Sequence, residues 1–325
     1  MPRGPHRGRR ARYSLGKDPR ARRLHSSWYR GSTLNFTPSK LNLTEADALE
    51  RYIAHGWAPE KPILEPDAGI LAVGSCFAQY IAQHLRRRRR RMRINDGMNC
   101  NVLAYGAGFV NTFTLRQQFE WAFGLREIEG STLFVEHGEN QHELPGIKLM
   151  ETTPTVRQVT RQLIESTDAF ILTLGLSEVW YERESGDVFF GAVPSDVYDE
   201  ERHAFRVTTV EENRANLFAL YRLLRARKPD SPIIFTLSPV PLTATFRPVS
   251  CLTANCVSKA VLRVAVDELL REVDDDPLLY YWPSYEIVTD FFGPDRGYNE
   301  DRRHVSPEVV GAIMALFEKR FVKEE

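Results

Sequence analysis

The chain has 325 residues, 42% of them hydrophobic and 26% charged, enough apolar material for one large core or two modest ones and too much for a disordered linker. Lys+Arg and Asp+Glu both number 43, for a formal net charge of +0, which argues against a protein that binds nucleic acid with its whole surface. No apolar run approaches the roughly 18 residues of a membrane span, and the N-terminus has no apolar stretch of the kind a secretory signal needs, so Arg9-Arg10 does not read as a twin-arginine export signal.

Cysteine and histidine usage narrow the class. Cys76, Cys100, Cys251 and Cys256 include no CxxC pair backed by a second pair or a histidine cluster, so reduced thiols and a cytoplasmic location are expected. The histidines show neither HExxH nor a zinc-type His/Cys spacing, and no metal is expected.

Residues 1–40 hold eleven Lys or Arg and one acid, Asp18. Residues 1–30, rich in Arg, Gly and Pro, read as a basic mobile extension, and 31–325 as a single domain. The extension is either solvated or a docking segment for an anionic surface such as nucleic acid or phospholipid. Ile70-Leu71-Ala72-Val73, ending in Gly74, has the pattern of a strand buried on both faces, and from Phe77 to Leu85 the apolar spacing turns helical. Arg86 to Arg91, with Arg93, follow. Consecutive arginines must point all round a helix, which suits a solvated C-terminal end, with docking of a phosphate, CoA or an anionic glycan as the alternative.

Ala169 to Leu174, before Gly175, repeats the buried-strand pattern. Thr209-Val210-Glu211-Glu212 matches a capping box, and Leu217, Leu220, Tyr221 and Leu224 then recur at helical intervals. Pro232 to Leu237 reads as a strand, Ser258 to Val273 as a helix and Leu278 to Trp282 as a strand. Ser306-Pro307 opens a last helix with Val310, Ile313, Phe317 and Phe321 on one stripe. Strands alternating with helices predict an α/β fold, a three-layer α/β/α sandwich on a parallel sheet over roughly residues 60–322, with ligands beyond the carboxyl ends of the strands.

Residues directly after those strands carry the candidate chemistry. Gly74-Ser75-Cys76-Phe77-Ala78 joins a buried strand to a helix. Glycine permits the tight turn and the free helix N–H groups favour negative charge, so a thiol there ionises more easily than a free one. The same segment also reads as Ser75 capping the helix and Cys76 as a small buried residue. In Asp301-Arg302-Arg303-His304 a carboxylate three residues before a histidine can reach Nδ1, fix the tautomer and leave Nε2 to take a proton; in isolation such a spacing is ordinary turn chemistry. Gly175-Leu176-Ser177-Glu178 and the loop from Gly106 through Gly108 to Asn111 can bring a hydroxyl or backbone N–H groups to an oxyanion.

Taken together, the order strand–nucleophile, glycine loop, Gly-x-Ser-Glu and late DxxH resembles the four blocks of the SGNH (GDSL-type) hydrolase superfamily. The pentapeptide Gly74 to Ala78 spells the name of the GSCFA domain family, which resembles a branch of it, and Ser238-Pro239-Val240-Pro241-Leu242, Ala254 to Lys259 and Pro283-Ser284-Tyr285-Glu286 are similar to that family too. The resemblance implies a flavodoxin-like (SGNH hydrolase-like) sheet and acyl-ester chemistry, with Asp301 and His304 as orienting acid and base. Ungapped alignment puts Cys76, rather than Ser75, at the nucleophile. Adjacent side chains diverge, so only one of the two faces His304, and Cys76 is favoured because a thiolate needs less activation than a hydroxyl. Where the superfamily has Gly-x-Asn-Asp, this chain has Gly175-Leu176-Ser177-Glu178, a hydroxyl for an amide.

The expected function is an esterase-type enzyme that removes or transfers an acyl group, acetyl above all, on a saccharide through a covalent acyl-enzyme. Cys76 or Ser75, Asp301 and His304 are the catalytic candidates, and Gly108, Asn111, Gly175, Ser177 and Glu178 the oxyanion and substrate candidates. No cofactor is expected; an acyl-CoA thioester enters only in the alternative of a glycan O-acyltransferase, and a non-catalytic glycan-binding scaffold is the other alternative. Lys259, placed near a helix start where a cation is unfavourable, is a candidate ligand. Tyr280, Tyr281, Trp282 and Tyr285 read as core plus pocket wall, with a sugar-stacking wall as the alternative.

Overall fold

The computed structural model describes residues 34–91, 102–105, 110–128, 143–144, 147–148 and 154–324. The chain forms two compact units, one ending at Tyr52 and the other running from Ile53 to the C-terminus. In the first, Ser39 and Asn42 close a short 3₁₀ turn through a 2.7 Å side-chain bond, and Arg51 pairs with Glu45 at 2.9 Å. The basic segment 1–30 lies outside the described residues.

The second unit is built on a parallel sheet. Among the described residues its strands are β1 (Ile70–Gly74), β2 (Val102–Tyr105), β5 (Ala169–Leu174), β8 (Ile233–Leu237) and β9 (Leu279–Trp282). The spatial order is β2-β1-β5-β8-β9, every pair parallel. Counted in chain order of the sheet strands this is 2-1-3-4-5, the flavodoxin-like order, whose switch point lies between β1 and its neighbour β5. β3 (Glu143–Leu144) and β4 (Ile147–Lys148) form a separate antiparallel pair, as do β6 (Glu178–Glu182) and β7 (His203–Val207).

The helices are α1 (Cys76–Arg91), α2 (Thr112–Ala122), α3 (Pro154–Glu165), α4 (Val210–Arg227), α5 (Cys251–Glu272) and α6 (Pro307–Phe321), with short helical turns between β9 and α6. Strand alternation sorts them into layers. Leu71, Val73, Phe170, Leu172, Ile233, Phe235 and Tyr281 join Leu115, Phe119, Leu217, Leu224, Leu262 and Val266 of α2, α4 and α5 in one core. On the other face Trp282 meets Phe317 and Phe321 of α6 edge-on at 5.5 and 5.7 Å, and α1 buries Phe77, Ile81 and Leu85. Sheet residues buried on both sides explain the uninterrupted apolar runs, and the sandwich is three layers, as expected.

The capping box forms as its spacing predicts: Thr209 Oγ1 accepts from Glu212 N at 3.1 Å, and Glu212 accepts from Thr209 N at 2.8 Å. One boundary differs. α5 starts at Cys251, two turns before Ser258. Those turns expose Leu252, Cys256 and Val257 while Ala254 is buried, so they lack the buried apolar stripe from which a helix is read. Lys259 therefore sits well inside the helix, and the argument from a cation at a helix start does not apply to it.

Candidate active site

A cavity of about 510 Å³ lies where β1, β5 and β8 end, lined by Ser75, Gly175 and Ser238, the residues that follow those strands. It stands at the switch point of the sheet, where an open α/β fold leaves a crevice. Gly74 creates the approach of β1 to β5 there. Its φ is 127°, and a Cβ on it would stand 2.1 Å from the carbonyl oxygen of Thr173, so no larger residue fits.

Ser75 is buried, and its hydroxyl is committed on two sides: Oγ donates to Ser238 Oγ at 2.8 Å and accepts from Phe77 N at 3.2 Å. It thus caps α1 while tying β1 to the loop after β8, and Ser238 Oγ also accepts from Val240 N at 3.2 Å. Cys76 opens α1 by its backbone; its side chain lies outside what the structure describes, as do Gly106 to Phe109, and with them Gly108. Asn111 lines the cavity from the N-cap of α2. Thr114 N donates to its Oδ1 at 2.9 Å, which fixes the orientation of the amide and leaves the Nδ2 donor without a partner among the described residues.

Ser177 is not brought to the cavity. It is fully buried, its N–H donates to Ser258 Oγ at 2.9 Å, its hydroxyl meets the same oxygen at 3.0 Å, and its carbonyl accepts from Thr208 N and Oγ1. Asn213 extends this network from Thr208 to Thr112, the first residue of α2. Ser177 therefore joins a buried polar lattice beneath the cavity, where a lost partner is costly. Gly175 and Glu178 do line the cavity. The Gly175 N–H is spent on Val110 O at 2.7 Å, and the Glu178 carboxylate accepts from Thr245 Oγ1 at 2.9 and 2.8 Å.

Lys259 lies under this floor, 2% exposed, with Nζ donating to Gly175 O and Val240 O, both at 2.9 Å. It staples the loop after β5 to the loop after β8. Burial lowers its pKa from 10.5 to about 7, and the neutral amine suits the place, having two N–H groups for two carbonyls.

The dyad is held differently. His304 Nδ1 bonds Asp301 Oδ2, and Asp301 Oδ1 accepts the N–H groups of Arg303 and His304, both at 3.0 Å. The bond to the His304 ring and those two N–H groups lower the Asp301 pKa to about 2. Arg302 sits between at φ 54°, a left-handed conformation unusual for a residue with a Cβ. The loop is closed by Asn299 N donating to His304 O at 2.8 Å, and Tyr298 Oη donates to Pro239 O at 2.9 Å, next to Ser238. Arg303 of this loop lines the same cavity as Ser75. The loop that carries Asp301 and His304 thus reaches the cavity through Arg303, while Asp301 and His304 themselves are not among its lining residues.

The wall is aromatic, and its residues are not among the sequence candidates. Trp180 and Phe205 are cross-strand partners in the β6–β7 hairpin, 5.6 Å apart, and Phe246 of the loop after β8 meets them at 4.9 and 5.4 Å. Trp180 and Phe205 belong to two short strands inserted between β5 and α4, with no clean alternation to mark them. Tyr281 and Trp282, candidates for such a wall, are instead buried core, and neither they nor Tyr280 and Tyr285 line the cavity. Of the arginine run, Arg88 to Arg91 have side chains outside the described set. Among the described residues no cluster of His, Cys, Asp and Glu is arranged to hold a metal ion, and no helix is long and apolar enough to cross a membrane.

Comparison with known proteins adds one positive finding. The family model described as GSCFA family matches residues 69–317, well over half of the chain and the whole of the cavity's lining. No curated protein matches. The family match is compatible with a hydrolase-like enzyme.

Proposed function

The chain belongs to the GSCFA family, and from that premise we propose that it is an ester-processing enzyme of SGNH type, removing or transferring an acetyl or similar acyl group on a saccharide through a covalent acyl-enzyme. The observation that supports this reading is that the loop carrying the Asp301–His304 dyad reaches the cavity: its Arg303 lines it together with Ser75, Asn111 and Ser238, and Tyr298 Oη donates to Pro239 O, next to Ser238. A cytoplasmic location accompanies it.

In this scheme the Cys76 thiolate attacks the ester carbonyl after His304 Nε2 has taken its proton. Asp301 holds Nδ1 and stabilises the imidazolium. The oxyanion is met by the Asn111 Nδ2 donor, with backbone N–H groups at the start of α1 and in the Gly108 loop. Collapse of the tetrahedral adduct breaks the ester C–O bond, the alcohol leaves with the proton from His304, and a thioester remains. Water, or a second sugar hydroxyl in the transfer variant, then gives its proton to His304 and attacks the thioester. Support for Cys76 comes from Ser75, whose hydroxyl proton goes to Ser238 rather than to an imidazole. Gly175, whose amide is spent on Val110, and Ser177, turned to Ser258, serve the frame of the site.

The test is release of p-nitrophenol from p-nitrophenyl acetate by wild type, Cys76→Ala and Ser75→Ala, with and without a thiol alkylator. Turnover lost in Cys76→Ala and blocked by the alkylator is expected, with most activity kept in Ser75→Ala. The reverse pattern reassigns the nucleophile. Release only with an added sugar acceptor makes the enzyme a transferase, and saccharide binding without any release makes it a scaffold.

A further inference from the structure

Arg303 is a feature of the cavity that ester chemistry alone does not require. It lines the cavity together with Ser75 and precedes His304 directly. Its backbone is fixed, since its N–H donates to Asp301 Oδ1 at 3.0 Å and the left-handed Arg302 comes just before it. Its side chain, however, makes no hydrogen bond or ion pair among the described residues, and Nε is buried without a partner. Arg225 shows the contrast. It is also partly buried, but it pairs with Asp276 at 2.6 Å and donates to Ser231 O and Leu278 O.

A guanidinium cannot shed its charge at any physiological pH, so withdrawing it from water without a counter-charge is unfavourable, and a bound anion removes that penalty. Among the described lining residues the other ionisable group is Glu178, at the base of the hairpin, and it is occupied by Thr245 rather than by Arg303. The remaining wall, Trp180, Phe205 and Phe246, offers ring faces and one buried Trp180 Nε1 that lacks a partner.

We infer that the substrate carries a negative charge near its ester, a carboxylate or a phosphate that pairs with the Arg303 guanidinium, while its uncharged ring lies along the Trp180, Phe205 and Phe246 wall. This rests on the ester-processing reading of the cavity and adds the substrate class: an acidic acyl sugar rather than a neutral one. The planar fork of arginine suits either anion, since both accept two parallel N–H bonds.

The experiment compares kcat/KM for O-acetylated methyl glucuronoside, O-acetylated glucose phosphate and O-acetylated methyl glucoside, and in parallel measures calorimetric binding of the three deacetylated sugars, which needs no turnover. Wild type is expected to prefer at least one acidic ester over the neutral one by about tenfold or more, the scale of a charged hydrogen bond. Which acidic ester is preferred identifies the anion. Arg303→Gln should collapse that ratio towards one, Arg303→Lys should keep part of it, and Arg271→Gln, on the exposed side of α5, should leave the ratio as in wild type; melting temperatures confirm folded variants. Equal use and equal binding of acidic and neutral sugars overturns the inference, as does a preference that survives Arg303→Gln. Selective binding of the acidic sugar that needs Arg303, without hydrolysis of any ester, upholds the inference and overturns the ester-processing reading. Hydrolysis of all three esters at one rate does the opposite.

Discussion

Ser75 finds Ser238 across 163 residues of chain, whereas His304 finds Asp301 across three. The first contact is buried under the meeting of β1, β5 and β8; the second stands largely in solvent, with side-chain exposures of 39% for His304 and 47% for Asp301. One half of the candidate site is therefore a product of the tertiary framework, with a glycine that accepts no Cβ, a capped helix and a lysine staple beneath. The other half is a local turn, joined to the loop after β8 through Tyr298 and Pro239. The difference teaches that activity and stability should come apart in the turn and move together in the floor.

The sharpest way to break that distinction is in the turn. Asp301→Asn keeps the shape but no longer holds the imidazole in its working tautomer, so ester turnover should fall by ~10³- to 10⁴-fold. Because Asp301 is exposed, the thermal midpoint should stay close to wild type. A loss of folding with the activity would show that the turn is part of the frame after all. On the floor, Gly74→Ala must both displace the Thr173 carbonyl and adopt a φ of 127°. It should lower stability by about 3 kcal/mol or more, the sum of overpacking and backbone strain, and lose activity with it; urea unfolding alongside an ester assay reads both.

A finer effect concerns Lys259. In the folded chain this amine gives up its proton near pH 7, while the unfolded chain holds it to about 10.5. Between those values the unfolded state binds more protons, so this residue makes stability rise with pH; below pH 7 both states are protonated and the burial penalty is fully present. The slope has a ceiling of ~1.4 kcal/mol per pH unit. Lys259→Met should remove that part of the slope, which denaturant unfolding at pH 7 and pH 9.5 will show. An unchanged slope would mean that the amine is not the titrating group.

How far the site could be read from the chain follows the same division. The DxxH spacing contains all the geometry of the dyad, because three residues of turn suffice to bring carboxylate to ring. The capping box at Thr209 was legible for the same reason. The aromatic wall was not, since Trp180 and Phe205 become neighbours only through the β6–β7 register, and Phe246 joins them from a different loop. Ser177 looked like a donor by its place after β5, but a residue's position in a motif does not say which way its hydroxyl turns. Lys259 lies inside α5 rather than near its start, because the two exposed turns that open the helix carry no buried stripe to announce them.

What the sequence determined alone was whatever depends on near neighbours: apolar runs that must be buried on both faces and so make a covered parallel sheet, the helix caps, and the carboxylate–imidazole turn. Only the tertiary structure decided which of the strand-end groups face the cavity, which are consumed by the frame, and where a guanidinium is left without a counter-charge. The physical reason is that a hydrogen bond or an ion pair is settled by which groups arrive within about 3 Å of each other. For residues a hundred or more positions apart, strand order and register decide that arrival.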